Sequence, residues 1–400
     1  MGHWAANCRY VWVMLNGEYI GIYVFMEKIK RNDGRVKIAK IGKSDISGDK
    51  LTGGYIFSID KQADGWFSAY NAGVSNNASV QYSYVYPKLS NIVQEQKDYI
   101  KSYVDSFETS LKSSNYQDTI SGWRNFADEA SFIDYFLVNE VSRNVDGYRL
   151  SSYFNKDRNS INSKIKAGPA WDYDLAFKNA DYCNGSDTIC WAWEFNNVCS
   201  GDFWQVPFWW ERFKTDTAFQ NNLLCRWKQL RQSTLSQENL FGLIDSVSAV
   251  TNEARQRHFA KWPVLGQYIW PNPQPIAKTY EEEISQLKNW LISRLSWIDK
   301  NLSNVGKCAV IIPPPLVNSV SIYPNPIGNY TTVKIVSVNK QAMHLQVYDV
   351  SGRTLVFDNY QLTQGENNIT VKTASWGKGI YTFRLVIDSG ERFTNRVMKK

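Results

Sequence analysis

The sequence predicts an α+β fold, a mixed α/β domain followed by a small all-β sandwich. Three observations carry this. Residues 9–60 alternate apolar and polar side chains, the period of half-buried strands. Between 92 and 302 apolar residues recur at spacings of three and four, the period of amphipathic helices. After 318, short strand-like runs recur with turn residues between them, the pattern of a β-sandwich.

The elements follow in order. Residues 9–15 and 19–27 read as strands joined at Asn16-Gly17, the strongest short hairpin signal. Tyr10, Trp12 and Met14 alternate, which predicts that they form the buried face. Further strands are expected at 35–41 and 54–60, and a long loop or irregular hairpin at 64–90. Helices are expected at 92–112, 129–143, 216–231, 236–260 and 278–302. The last carries Ile284, Leu287, Leu291, Leu295, Ile298 and Leu302 as one apolar stripe. Residues 180–206 read as a loop. Ile311-Ile312-Pro313-Pro314-Pro315 is a stiff linker. Strands are then expected at 332–336, 345–349, 354–357, 368–372, 379–387 and 392–399. The domain reading is 1–308, a Pro-rich linker at 309–317, and a sandwich at 318–400.

Composition excludes some classes. The net charge of +7 is mild and reads as spread out, with no nucleic-acid motif. No segment approaches the roughly 20 apolar residues of a membrane-spanning helix. The 16 Trp and 23 Tyr fit a large core, with a carbohydrate-stacking surface as the alternative. Six cysteines form no CxxC pair, so there is no zinc-binding pattern. Cys183, Cys190 and Cys199 share one loop and read either as containing a disulfide or as three buried thiols. His3, His258 and His344 are too scattered for a triad or a zinc site. The opening residues run almost directly into a strand, with no signal peptide in this chain, so an upstream portion is expected to precede it.

The most informative stretch is 132–177. A helix-like run ends in the acidic turn Asn144-Val145-Asp146-Gly147. A strand-like segment follows at 150–154, and then Asp172 and Asp174, flanked by aromatics. Carboxylates bracketed by helix and strand in this way converge at one end of a sheet. Their hard oxygens suit a Mg²⁺ and phosphate site. If the Asp172–Asp174 segment is extended, both side chains share a face. The competing readings are an ordinary turn for Asp146 and a helix cap near Leu175 for the other two.

Two resemblances sharpen this. Tyr323-Pro324-Asn325-Pro326, Val347-Tyr348-Asp349-Val350-Ser351-Gly352-Arg353, Gly379-Ile380-Tyr381-Thr382-Phe383-Arg384 and Arg396-Val397-Met398-Lys399-Lys400 stand in an order that resembles a type A sorting domain of the Bacteroidetes type IX secretion system. That implies passage through the periplasm and across the outer membrane, contact of 318–400 with the secretion machinery, removal of this domain, and a secreted or surface location. Leu15-Asn16-Gly17-Glu18-Tyr19-Ile20-Gly21 with Glu27, Thr52-Gly53-Gly54-Tyr55, Phe132-Ile133-Asp134-Tyr135, Asp146-Gly147-Tyr148 and Pro169-Ala170-Trp171-Asp172-Tyr173-Asp174 together resemble the spore-coat CotH protein kinase family.

The second resemblance implies an atypical protein-kinase-like domain, here N-terminally incomplete, that uses ATP with Mg²⁺ or Mn²⁺ to phosphorylate Ser or Thr of an extracytoplasmic protein. It implies that Asp146 is the catalytic-loop carboxylate and Asp172 a metal ligand, with Asp174 assisting. Ser151 stands where relatives place a metal-binding Asn; Asn144 and Asn155 are possible substitutes. Glu27 is expected either to pair with a lysine at the nucleotide or to lie on an exposed strand face, and Lys28 and Lys30 are candidate phosphate clamps. The rival readings are a non-catalytic scaffold touching polysaccharide through Trp191, Trp193, Trp204, Trp209 and Trp210, and a hydrolase with Asp146 and Asp172 as its acid–base pair.

Overall fold

A computed structural model of the chain describes all residues except 62–63, 73–77, 309–317 and 400. The chain falls into two compact units, Met1–Ile311 and Ile312–Lys400. The expected linker at 309–317 lies outside the described residues.

The first unit opens with the hairpin β1 (Cys8–Leu15) and β2 (Glu18–Met26), a two-stranded sheet of its own. A short turn α1 (Gly48–Leu51) leads into β3 (Tyr55–Ile59). Of the two readings of 64–90, the irregular hairpin holds: β4 (Gly65–Asn71) pairs antiparallel with β5 (Ser79–Tyr86), and the register shifts between Phe67 and Asn71. Next come α2 (Gln94–Lys112), α3 (Glu129–Ser142), β6 (Ser152–Lys156), the short α4 (Asn159–Asn162) and β7 (Ile165–Ala167). The helices α5 (Phe195–Val198), α6 (Trp209–Lys214), α7 (Thr217–Arg231), α8 (Gln237–Lys261) and α9 (Tyr280–Leu302) complete the unit.

The main sheet has the order β4-β5-β3-β6-β7 and is antiparallel throughout. Alternation along β3 gives it two faces. Tyr55, Phe57 and Ile59 join the large core with Ile100, Val104 and Phe107 of α2, Phe132 and Phe136 of α3, and Trp209 and Trp210. Ile56 points the other way, into a small cluster with Val36, Ile38 and Ile29. One buried carboxylate anchors the large core. Glu108 accepts from Ser68 Oγ (2.7 Å), Tyr82 Oη (2.7 Å) and Trp209 Nε1 (2.9 Å), so its polar atoms are satisfied inside an aromatic setting.

Three expectations are corrected. Residues 35–41 form no strand. Their backbone turns back on itself, Val36 N–H to Lys30 O and Asn32 N–H to Val36 O, and Ala39 N–H is taken by Asp157 Oδ1. Tyr10, Trp12 and Met14 are exposed, not buried. The hairpin rests on α8 through the middle of β2 instead. There Ile22 N–H donates to His258 Nδ1 (3.1 Å) and Trp262 Nε1 donates to Ile20 O (2.7 Å). Gly21 is required at this contact, since a Cβ would meet His258 Nδ1 at 2.9 Å. Finally, the reading of three buried thiols fails. Cys183 is bonded to Cys199, Cys190 is free and exposed, and a second disulfide joins Cys225 to Cys308.

The second unit is a sandwich of two sheets. One is β11 (Thr354–Leu362), β10 (Gln341–Tyr348), β13 (Gly379–Ile387) and β14 (Arg392–Lys399); the other is β12 (Gly365–Lys372), β9 (Tyr330–Ser337) and β8 (Ser319–Tyr323). Inward residues Val333, Ile335, Met343, Leu345, Val347, Phe383 and Leu385 form its core. Asp349 closes the turn before β11, accepting from the Ser351 N–H (2.9 Å), Ser351 Oγ (2.6 Å) and the Arg353 N–H (3.1 Å).

The disulfides give a direct check. Alkylation of the unreduced protein is expected to label Cys8 and Cys190 and to spare the other four cysteines, as read by peptide mass mapping. Reduction should destabilise the first unit by about 4 kcal/mol through the 83-residue span closed by Cys225–Cys308.

Candidate functional site

The turn carrying Asp146 is built at the C-terminus of α3. Arg143 ends the helix in the left-handed conformation, φ 45°. Its guanidinium donates to the carbonyls of Asn184 (2.9 Å) and Cys190 (2.7 Å). Asn144 is buried and accepts the Asp146 N–H at 3.1 Å, an Asx turn. Gly147 follows because no larger residue fits: a Cβ there would lie 2.4 Å from Asn139 Oδ1. Tyr148 is fully buried, and its hydroxyl donates to Glu140 Oε1 (2.9 Å).

Glu140 is the hub below this turn. Its other oxygen, Oε2, accepts from Arg294 Nη2 of α9 (2.9 Å) and from the Ala192 N–H (2.8 Å), while Oε1 also takes the Trp193 N–H (3.1 Å). Arg294 Nε donates to the Glu140 carbonyl (2.7 Å) and Nη1 to Cys190 O (2.6 Å). Both side chains are wholly buried. Burial pushes the Arg294 guanidinium down to about 10, against the pull of Glu140.

Two backbone hydrogen bonds bring the second acidic segment alongside. Val145 N–H donates to Leu175 O (3.4 Å) and Phe177 N–H to Ser142 O (2.7 Å). Asp172 is not in an extended strand as expected. It sits in a left-handed turn at φ 62°, no helix starts at Leu175, and Ser151 opposite is also left-handed at φ 47°. Positive φ at two non-glycine residues facing each other is stored strain of the kind found at functional sites. Ser151 Oγ donates to Asp172 Oδ2 at 3.3 Å. Asp174 Oδ1 accepts its neighbour's Leu175 N–H (3.0 Å).

Asp146 is held by Arg149, whose Nη2 donates to its Oδ1 at 2.6 Å. Arg149 is itself buried, over the Phe195 ring and bonded to Trp204 O. Burial pushes the Asp146 carboxyl above its ordinary range. Arg149 and Lys61 oppose this, and the charges of Asp174 and Asp172 reinforce it. Asp172 is raised in the same direction, by burial first and then by Asp174, with Lys61 again opposing. Three carboxylates thus share one field, and a cation placed among them relieves their repulsion.

Ser151 and Asp172 therefore touch, and Asp146 and Asp174 lie within reach of the Asp172 charge. Glu27 does not join them. Among the described residues it pairs with no lysine, and it accepts from Asn7 Nδ2 (2.8 Å) and Arg35 Nε (3.2 Å). Lys28 and Lys30 line a hollow beside Ile56, on the outer face of the main sheet. Asn144 is committed to the Asp146 amide, and Asn155 Nδ2 donates to Gly168 O (3.2 Å). Trp209 and Trp210 are fully buried in the core, which removes them from any sugar-stacking surface. Arg149, bonded to Asp146, and Lys61, whose charge reaches Asp146 and Asp172, were not singled out from the sequence. The signal for Lys61 is a charged pair, Asp60-Lys61, ending an otherwise apolar strand.

The oxygen set fits a hard divalent cation. Among the described residues no group of three His, Cys, Asp or Glu side chains is arranged to hold a metal alone. Asp172 and Asp174 would share it with phosphate oxygens and water, as Mg²⁺ commonly requires. Among the described residues no helix is long and apolar enough to cross a membrane.

Residues 1–298 match the family model described as CotH kinase protein, and residues 321–400 match the secretion system C-terminal sorting domain. No curated protein matches. Among solved structures, dimeric latent PorU from Porphyromonas gingivalis is similar at 18% identity over 24% of this chain, with a TM-score of 0.19; the match spans 10% of the PorU chain. A DUF3244 family protein with an immunoglobulin-like β-sandwich fold from Bacteroides vulgatus shows 14% identity over 22% of this chain and 100% of its own, with a TM-score of 0.16. Hypothetical protein PH1083 from Pyrococcus horikoshii shows 13% identity over 21% and 88%, with a TM-score of 0.16. These scores bear on neither fold nor function.

Arg294→Met leaves the Glu140 carboxylate buried without its cation. It is expected to destabilise the first unit by about 3–5 kcal/mol in urea titration, with much of the loss recovered in Glu140→Gln/Arg294→Met. A loss below about 1 kcal/mol would remove the pair from its central place.

Proposed function

This chain belongs to the CotH kinase protein family, and on that premise we propose that it transfers the γ-phosphoryl group of ATP to a Ser or Thr hydroxyl of an extracytoplasmic protein. The sorting domain marks it as cargo of the secretion machinery, bound for secretion and the cell surface. The observation that carries the catalytic reading is the convergence of Asp146 with Asp172 and Asp174 under the field of Lys61.

In this reading Asp146 accepts a hydrogen bond from the acceptor hydroxyl and aims its oxygen at the γ-phosphorus. Arg149 holds the carboxylate in place. The new oxygen–phosphorus bond forms as the bond to the β-phosphate oxygen breaks. ADP leaves, and the hydroxyl proton passes to Asp146 or to water. Asp172 and Asp174 would hold Mg²⁺ or Mn²⁺, which neutralises charge on the transferring phosphates. Ser151 orients Asp172. Lys61, whose charge reaches Asp146 and Asp172, meets a phosphate oxygen, while Lys28 and Lys30 line the hollow on the outer face of the sheet.

Two measurements test this. ATP with Mg²⁺ or Mn²⁺ is expected to raise the melting temperature of the first unit, and Asp172→Asn to abolish the rise. Asn tolerates the left-handed turn and removes a repelling charge, so this variant should keep or slightly gain stability without ligand. A rise that survives the substitution would refute the assignment. The second measurement is the pH–rate profile. Asp146 and Asp172 both act ionised, and both have carboxyls raised by burial. Activity should therefore fall on acidification at a pH above the ordinary aspartate range. Asp174→Asn should move that fall to lower pH and Lys61→Met to higher pH, and Asp146→Asn should cost roughly 10²–10⁴-fold in rate.

A further inference from the structure

Basic residues cluster in one segment of the first unit. Residues 28–43 hold seven Lys or Arg and one acid, Asp33. This segment is not a strand. It loops across the outer face of the main sheet and buries Val36 and Ile38 against Ile56. Beneath it lies a hollow of about 640 Å³. Its rim carries Lys28, Lys30, Arg31, Lys40, Lys43 and Lys88, and its floor is apolar, with Ile41, Ile56 and Val85. None of the lining residues is acidic.

The cations are largely uncommitted. Arg31 lies 3.8 Å from Asp33. Among the described residues the ammonium groups of Lys28, Lys30, Lys40, Lys43 and Lys88 form no ion pair. Surface lysines are ordinarily dispersed on convex surface, where water screens them. Here they ring a concavity with an apolar floor, which focuses their field.

The basic surface also extends beyond this hollow. Arg31 lines a second hollow of about 490 Å³ with Lys37, Lys164 and Lys166; of its two acids, Asp33 faces Arg31 and Asp157 is engaged by the Ala39 and Arg158 amides. Lys28 and Lys30 line a third, of about 500 Å³, where Glu27 is engaged by Arg35. Three adjoining hollows around one segment make a groove, longer than a compact anion needs.

We propose that this groove binds an acidic, extended peptide segment of the protein acceptor. An extended chain alternates its side chains. Apolar residues can reach the floor while Asp or Glu residues meet the rim ammonium groups. A polyanionic glycan offers the charge but no side chains for the floor. The proposal rests on the kinase reading, since it makes the groove a docking site for that substrate. Ile56 of the groove floor and Asp60, whose charge raises the Asp172 carboxyl, are four residues apart along β3 and the bend after it, roughly 13 Å if extended. The acidic run is thus expected about four residues or more from the phosphorylated Ser or Thr.

The test is fluorescence anisotropy of the full chain with a fluorescein-labelled peptide of alternating Glu and Leu, at low salt and without nucleotide. The expected result is saturable binding that weakens with salt and falls roughly tenfold or more in Lys40→Glu/Lys43→Glu. The control Lys372→Glu/Lys378→Glu makes the same change in net charge within the sandwich unit and should leave binding intact. No binding overturns the proposal, and so does equal weakening by both pairs. Displacement by ATP with Mg²⁺ would assign the groove to the nucleotide. Preferential binding of a polyuronate would assign it to a glycan. Either result also overturns the peptide assignment. Because no nucleotide is present in the binding measurement, failure here is separable from failure of the Asp172→Asn thermal test.

Discussion

The buried ion pair between Glu140 and Arg294 is the constraint on which the rest of the first unit depends. Two full charges sit with no exposure, and the carboxylate and guanidinium are matched by each other, by the Tyr148 hydroxyl and by backbone groups of the 188–193 loop. Such a pair is costly to bury and costlier to break. Its geometry therefore dictates where α9, the C-terminal turn of α3 and the 188–193 loop must lie. The Asp146 turn leaves α3 three residues after this point, and the hydroxyl of Tyr148 ties its far side to the same carboxylate. The acidic centre inherits its position from a charge pair that no ligand would touch.

A second level of order is built on that frame. The Asx turn at Asn144, the close approach at Gly147 and the two backbone bonds from Val145 and Phe177 press the 172–177 segment against the turn. Strain at Ser151 and Asp172 and repulsion among three carboxylates are held in place by this packing. A centre of mutually repelling carboxylates, set between the end of α3 and the ends of β3 and β6, favours a cation, as the proposed phosphoryl transfer requires. On the outer face of the same sheet the sign of the charge reverses. β3 thus links acidic and basic regions, with Asp60-Lys61 just past its C-terminal end and Ile56 near its start.

The candidate site was legible in the sequence where its residues are neighbours in the chain, and obscure where they are not. Asp146, Asp172 and Asp174 stood out because turn residues and aromatics flank them. Ser151 was legible as a departure from a family pattern, and it does face Asp172. Glu27 resisted reading because its partners, Asn7 and Arg35, are matched by a loop whose path no local pattern encodes. The expected strand at 35–41 failed for a related reason. Apolar alternation at Val36 and Ile38 signals a buried face, but whether that face pairs in a sheet depends on a neighbouring strand being free to receive it. The same limit explains the hairpin: Tyr10, Trp12 and Met14 have the period of a buried face, yet α8 meets β2 at Gly21 instead.

What the sequence determined by itself was the kind and order of the elements. Helix and strand periods, the Asn16-Gly17 turn, and the sandwich strands at 379–387 and 392–399 arise from interactions among residues a few positions apart. What only the tertiary structure decided was which distant groups meet. It joined Cys225 to Cys308, sent Trp209 and Trp210 into the core, brought the charge of Lys61 within reach of Asp146 and Asp172, and lined three hollows with the cations of one segment. Each of these depends on contacts between residues tens to hundreds of positions apart. Such contacts are selected by the burial and charge balance of the whole fold rather than by local preference.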